Sequence, residues 1–340
     1  MKTALLAAAV GSALLLAGCA SPLANKSPDM AVRYVLKQNM AQSQYNFTGV
    51  MGFDQLLIKK GEATTNPELA DITNEVARSL FIDFNGAIDL PGKQLEITPR
   101  LRFERRNIKG EVSVPLKLDL QKNAVLVDPA AIDLISKELR DHPGRFVRFA
   151  LPKEFADKIP TDAIIKGLPE VLDQAYAQAD KQAFTLEPLD DTARQLGASY
   201  QLRVALSQEQ QSQLTLRMID GLARIVRDEA ERRGKPEEAQ QAMAIAQVIK
   251  SLSNNEQKGF FSESTIHLYA DRSARLIGLR ERIDLSTPEF DARAYATMKM
   301  SNFGKPVFAY PLTEAQIIDF DKLPKPAWLN SVDKPESAEE

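Results

Sequence analysis

The chain has a single cysteine, Cys19, and it stands where a reactive thiol would follow an export signal. Met1 and Lys2 give a positive start. They precede the apolar run "ALLAAAVGSALLLA", which has the length of a signal-peptide core and is too short to span a bilayer comfortably. A cysteine reacts as its thiolate, and such a nucleophile works best on an exposed, flexible segment. Residues 1–18 are therefore typical of a signal peptide, with Cys19 directly after it.

The four residues Leu16, Ala17, Gly18 and Cys19 resemble the lipobox of bacterial lipoproteins. The resemblance implies that the thiol of Cys19 receives a diacylglyceryl group, that residues 1–18 are removed, and that the new amino terminus is acylated. Several acyl chains give stable anchoring, since each buried methylene contributes ~0.8 kcal/mol. The alternative is an ordinary secretory signal with an incidental cysteine.

The residue after Cys19 is alanine, whereas an aspartate there retains lipoproteins in the inner membrane of enterobacteria. The resemblance therefore implies a lipid-anchored protein of the bacterial cell envelope, in the outer membrane and facing the periplasm. Its first partner would be the membrane, reached through the lipid on Cys19.

Other reaction chemistry is not evident in the sequence. Once Cys19 is acylated, no thiol remains for a disulfide, a metal or catalysis. The two histidines, His142 and His267, belong to no H-E-x-x-H motif, and no G-x-S-x-G, P-loop or dinucleotide fingerprint occurs. The formal net charge of −3 gives no electrostatic reason to expect nucleic acid. We expect no metal, no cofactor, no nucleic-acid partner and no enzymatic activity, although a dispersed hydrolase triad stays open.

The segments that would position a site alternate between apolar and polar residues. The alternation covers 79–89, 94–105 and 110–120, and it returns at 199–206 and 264–270. One apolar and one wet face predict an antiparallel sheet rather than a parallel one buried on both faces. Turns are expected at 89–92 and 271–273.

Helical periodicity predicts helices at 28–43, 129–140 and 161–180, the last broken or kinked at Pro169. The longest helical stretch is a pair at about 207–252, which begins at the S-x-x-Q capping box of Ser207. An apolar stripe on its first helix is expected to face the concave side of the sheet, opposite Leu116 and Leu118. Core packing is favoured over a mobile lid; the stripe consists of Leu214, Met218, Leu222 and Ile225.

The expected organisation is a signal peptide at 1–18, a lipidated tether at 19–29, a single α+β domain at 30–321, and a Pro-rich disordered tail at 322–340. The alternative for the main domain is two similar halves, split near 155–180.

The last part of the domain resembles the LolA/LolB-like and LppX-like envelope lipoproteins. The matching residues there are Asn302, Gly304, Pro306, Val307 and Pro311, and "QYNFTGVMGF" near the start resembles their first strand. The resemblance implies a large curved antiparallel sheet, half-barrel-like and covered by helices, with an apolar cavity for acyl chains. This chain is longer than that family and adds the helical pair at about 207–252.

Two functions fit these observations. In the first, the apolar sheet face binds a hydrophobic ligand such as an acyl chain or lipid. In the second, the protein is a structural or assembly lipoprotein that docks envelope proteins and takes no small ligand. The cavity or core candidates are Val114, Leu116, Leu118, Leu101, Phe103, Leu214, Met218, Leu222 and Ile225.

Overall fold

The computed structural model describes residues 21–59, 67–128, 146–151, 160–255 and 261–322. Over these residues, six α-helices and a thirteen-stranded, open, curled sheet form an α+β fold, which confirms the predicted fold class. The signal peptide with Leu16, Ala17, Gly18 and Cys19, the helix predicted at 129–140 and the tail beyond residue 322 lie outside the described residues.

Most helices and strands lie where the patterns predict them. The helix that begins at Thr161 continues through Pro169 to Ala177, however, and the helices at 67–78 and 191–196 were not predicted. The helices are α1 Pro28–Ala41, α2 Pro67–Arg78, α3 Thr161–Ala177, α4 Asp191–Leu196, α5 Gln208–Arg232 and α6 Pro236–Asn255. The strands are β1 Gln44–Ile58, β2 Leu80–Asp89, β3 Gln94–Arg105, β4 Ile108–Ser113, β5 Leu116–Asp119, β6 Ala124–Val127, β7 Phe146–Ala150, β8 Phe184–Glu187, β9 Tyr200–Leu206, β10 Phe261–Ala270, β11 Leu276–Ser286, β12 Phe290–Ser301 and β13 Ile317–Asp319. The strand expected at 110–120 is divided at Val114 and Pro115, because a proline has no N–H to give to a strand ladder.

One sheet joins both parts of the chain. Its order is β13-β7-β6-β5-β3-β2-β1-β12-β11-β10-β9-β8, with β4 also paired to β3. The pairs are antiparallel except for β13 with β7. One flank consists of β1 to β7 together with β13, and the other consists of β8 to β12. The pairing of β1 with β12 joins the two flanks. The region near 155–180 therefore separates two flanks of one sheet.

The inner face of the sheet is the face that α1 covers. Residues directly opposite each other in antiparallel strands share a face, so the register identifies its members. One row across four strands reads Met300, Phe47, Gly86 and Ile97. Val32 and Val35 of α1 are fully buried in the same cluster as Leu202 and Val204 of β9. The hydrophobic core therefore lies between α1 and the inner face.

The helical pair packs differently from the prediction. Ser207 caps α5 with the expected capping box, and Leu214 and Met218 join the core. Ile225, however, lies against Gly167 of α3. α5 packs mainly on α3 and α6, and it meets the sheet at β9 and β10. Leu116 and Leu118 on β5 are therefore not its partners; five strands separate β5 from β10, and α3 supplies the apolar surface instead.

The predicted tether at 19–29 is also wrong for its described part, which begins at Ser21. The hydroxyl groups of Ser21 and Tyr200 are hydrogen-bonded, and Leu23 is buried in the core. The cause is Leu23, whose apolar side chain is more stable in the core than in water. α1 then begins at Pro28.

The matched C-terminal motif forms a turn that crosses to the outer face. Asn302 and Gly304 have positive φ angles of 51° and 75°, which Asn and Gly tolerate best. The side chain of Asn46 then bonds both backbone groups of Val307, at 2.7 and 2.8 Å. The carboxylate of Glu96, only 2% exposed, accepts the next bonds from the N–H groups of Ala309 and Tyr310, at 2.7 and 3.2 Å.

Glu96→Gln should loosen this C-terminal segment. An amide offers one oxygen in place of two, so one buried backbone donor loses its acceptor, at a cost of about 2 kcal/mol. We expect lower stability in urea and faster amide exchange at Ala309 and Tyr310. Glu104→Gln, on the same strand, is the control, because the ion pairs of Glu104 with Arg102 and Lys109 are exposed to solvent and contribute little. Equal effects of the two substitutions would contradict this role for Glu96.

Candidate functional site

An uncovered apolar region lies on the inner face beyond α1. We call it the apolar patch and define it as Met51, Phe53, Ile82, Leu101, Phe103, Val112, Ala294 and Ala296. Four of these side chains are well exposed: Leu101 at 47%, Met51 at 40%, Val112 at 39% and Phe53 at 37%. The other four are half-buried. An exposed set of this kind on one continuous face is typical of a binding surface.

Strand register builds the patch. Ala296, Met51, Ile82, Leu101 and Val112 form one row across five strands. The neighbouring row begins with Ala294 and Phe53. Alanines at this point leave room above β12, and methionine adapts its shape to what it contacts. The row is therefore apolar along its length.

Two glycines set the boundary between the patch and the core. The ring of Phe84 lies over Gly49, and the ring of Phe47 lies over Gly86. The ring centroids are 6.2 Å apart and tilted by 48°, a common aromatic arrangement. Only glycine leaves space for a ring at these positions, so the aromatic pair separates the patch from the core.

A carboxylate interrupts the apolar face. Glu281 stands in the row of Ala296 and Met51, and it accepts a 2.8 Å hydrogen bond from Ser264 Oγ. Burial raises the pKa of Tyr176 on α3, and the negative charge of Glu281 raises that pKa further. Glu281 could accept a hydrogen bond from a hydroxyl or ammonium group of a ligand.

The predicted site residues are distributed over three places. Leu101 and Phe103 belong to the apolar patch. Leu116 and Leu118 are half-buried and share the inner face with Ile97 and Leu95, which pack at the edge of the core. Val114 is half-buried in the connection between β4 and β5, and the α5 residues Leu214, Met218, Leu222 and Ile225 lie apart from the patch, on the helix that packs against α3.

Sequence reasoning missed Glu281 and the two glycines. A signal for Glu281 was available, because it occupies an inner-face position between Leu279 and Ile283 in the alternation of β11. Gly49 and Gly86 gave no such signal, since the ring that covers each comes from the neighbouring strand.

Two clefts in the described part of the chain have charged residues in their walls. One, of about 570 Å³, is lined mainly by outer-face residues such as Asp54, His267 and Arg280. The other, of about 420 Å³, lies between α3, α5 and α6 and contains Arg217, Arg224 and Arg227. Charged walls of this kind do not suit an apolar ligand.

His267 lies partly buried beside a carboxylate. Burial lowers its pKa from the ordinary value, although the nearby charge of Glu187 opposes this, with 3.3 Å between His267 Nε2 and the carboxylate. In the described ranges, no group of three or more His, Cys, Asp or Glu side chains is placed to hold a metal ion. No helix among the described residues is both long and apolar enough to cross a membrane.

Comparison with known proteins gives no relative for this chain: no protein-family model, no curated protein and no solved structure matches it.

Proposed function

We propose that this protein is a lipoprotein of the bacterial cell envelope that binds an acyl chain or another hydrophobic ligand on its apolar patch. Cys19 carries the lipid anchor, and the protein faces the periplasm from the outer membrane. No catalytic step is part of this proposal.

One observation supports ligand binding above the others: the inner face continues as apolar side chains after α1 has ceased to cover it. A packed core would bury Leu101 and Met51, whereas both are exposed by 40% or more. Ligand sites combine apolar walls with a few polar groups, and Glu281 with Ser264 supplies such groups beside the apolar patch.

The length of the apolar row favours a chain-like ligand. The row crosses five strands, which lie about 4.8 Å apart. Burial of ten methylenes would contribute about 8 kcal/mol before the cost of association is subtracted. An acyl chain therefore fits this surface better than a compact polar ligand.

The second candidate function is docking of another envelope protein. The observation that favours it is the exposed apolar side of α6, which carries Ile245 and Val248. α6 packs on α5, and these two side chains are 60% and 57% exposed.

Native mass spectrometry of the mature chain with Cys19→Ser, purified from bacteria, tests the first function. We expect a fraction of the molecules to carry lipid. Leu101→Glu places a charge inside the patch at an exposed position, so it should remove most of the bound lipid without unfolding the protein. Val307→Glu, at an exposed position outside the patch, should leave it unchanged.

The outcomes separate the two functions. Lipid retained equally in both variants would mean that it binds elsewhere. No lipid in any sample, together with loss of a protein partner in Ile245→Glu, would contradict ligand binding and favour docking through α6.

A further inference from the structure

We infer that one end of the sheet forms a surface that rests on anionic lipid headgroups of the anchoring membrane. We call it the anchor end and define it by Lys26, Tyr200, the β10–β11 turn at 271–275 and the turn at 302–305. The inference rests on the proposed lipidation of Cys19, and it adds the orientation of the protein on the membrane.

The first step is the short distance between the lipid and the folded body. Ser21 is bonded to Tyr200, and Leu23 is buried. Two residue steps separate Cys19 from Ser21, so the chain between them spans at most about 7 Å. This is less than the Debye length of about 8 Å at physiological salt. Charges near Ser21 would therefore feel the membrane surface.

The second step is the set of elements around Tyr200. Tyr200 pairs with Ala270, the last residue of β10, so the turn at 271–275 lies beside it. The guanidinium group of Arg275 lies 4.2 Å from the ring centroid of Phe303, which brings the turn at 302–305 to the same end. Both turns therefore face the side from which the acylated terminus leaves.

The third step is the charge of this end. Arg272 and Lys305 are exposed, and neither has a carboxylate partner among the described residues. Lys26 lies over the ring of Tyr34, at 5.0 Å from its centroid. Asp271 is the carboxylate of these turns, and Arg275 neutralises it at 2.8 Å. The anchor end therefore has three cations without a carboxylate partner among the described residues, Lys26, Arg272 and Lys305, although the formal net charge of the chain is −3.

The apolar patch lies further along the same strands, away from the anchor end. On β1, Asn46 pairs with Ser301 near the anchor end, and Phe53 of the patch is seven residues further on. That separation is about 23 Å at the usual rise per strand residue. With the anchor end against the headgroups, the patch is held away from this membrane by about that distance.

Site-specific fluorescence quenching on the lipidated protein tests the orientation. The acylated thiol of Cys19 does not react with a label, so Arg272→Cys and Ile108→Cys each provide one labelling site. Arg272 belongs to the anchor end, and Ile108 is exposed at the far end of β4. In vesicles that contain a headgroup-labelled quencher lipid, we expect several-fold stronger quenching at position 272. Equal quenching at both positions would overturn the inference.

A charge-reversal pair provides a second measurement. In the soluble Cys19→Ser chain, Arg272→Glu with Lys305→Glu should weaken sedimentation with phosphatidylglycerol vesicles about tenfold or more. Lys109→Glu, a control near the far end, should change it little. Equal weakening by pair and control would also overturn the inference. If wild-type protein carries no lipid on Cys19, the proposed anchor fails instead, and palmitate labelling detects that case separately.

Discussion

Cys19→Ser should abolish incorporation of labelled palmitate and move the protein from the membrane fraction to the soluble fraction, or leave it as an unprocessed precursor. In the proposed lipidation, the thiolate of Cys19 is the nucleophile that would accept the diacylglyceryl group, and a serine hydroxyl at neutral pH is a much weaker one. No other cysteine exists to replace it. The effect should therefore be complete rather than partial.

The matched control is Ala20→Ser, which changes the adjacent residue and leaves the thiol in place. It should incorporate palmitate and remain with membranes. Palmitate that persists on the Cys19→Ser protein would contradict lipidation at Cys19. Absence of label from the wild-type protein would instead favour an ordinary secretory signal, with Cys19 as an incidental thiol.

Local periodicity was sufficient to predict most of the elements. β3 coincides with the alternating segment at 94–105, and α5 follows directly after the predicted capping box of Ser207. Both patterns express short-range rules: side chains alternate along a strand, and a cap satisfies the first N–H groups of a helix. The class of fold follows from the same rules, because strands that are wet on one side form antiparallel sheets.

Long-range partners could not be read from the same patterns. The stripe on α5 has the correct spacing, yet spacing does not say whether a sheet or another helix covers it. Gly167 and Gly221 decide this, because the absence of their side chains leaves room for Ile225 of α5 and Val171 of α3. The packing of Leu23 likewise depends on a surface that forms only after β9 and β10 have paired.

Part of the candidate site could be predicted from the alternation of side chains along the strands. Leu101 and Phe103 were assigned to an apolar face, and the register places both in the patch. Their exposure depends on where α1 ends over the sheet, which is a tertiary property. Glu281 was visible as a break in alternation, but its hydrogen bond to Ser264 comes from the neighbouring strand.

Gly86→Ala should cause the largest loss of stability among the substitutions considered. A methyl group at this position would lie under 3.0 Å from the backbone oxygen of Glu96 and from the ring of Phe47. Real Cβ atoms essentially never approach other atoms this closely, so the β2–β3 ladder and the ring must both move. We expect a loss of about 3 kcal/mol in urea-induced unfolding, at the upper end for overpacking. Gly110→Ala is the matched control in the same sheet, because a Cβ there meets no atom within 4 Å.

The control should be neutral or slightly stabilising, by about 0.5 kcal/mol, since alanine restricts the unfolded chain more than glycine does. Combining Gly86→Ala with Phe47→Leu then divides the strain into its two sources. The smaller side chain relieves the clash with the ring but leaves the Glu96 carbonyl in place, so rescue should be partial in a double-mutant cycle. Full rescue would mean that the ring alone requires glycine. No loss in Gly86→Ala would contradict the close approach of β2 and β3 at this position.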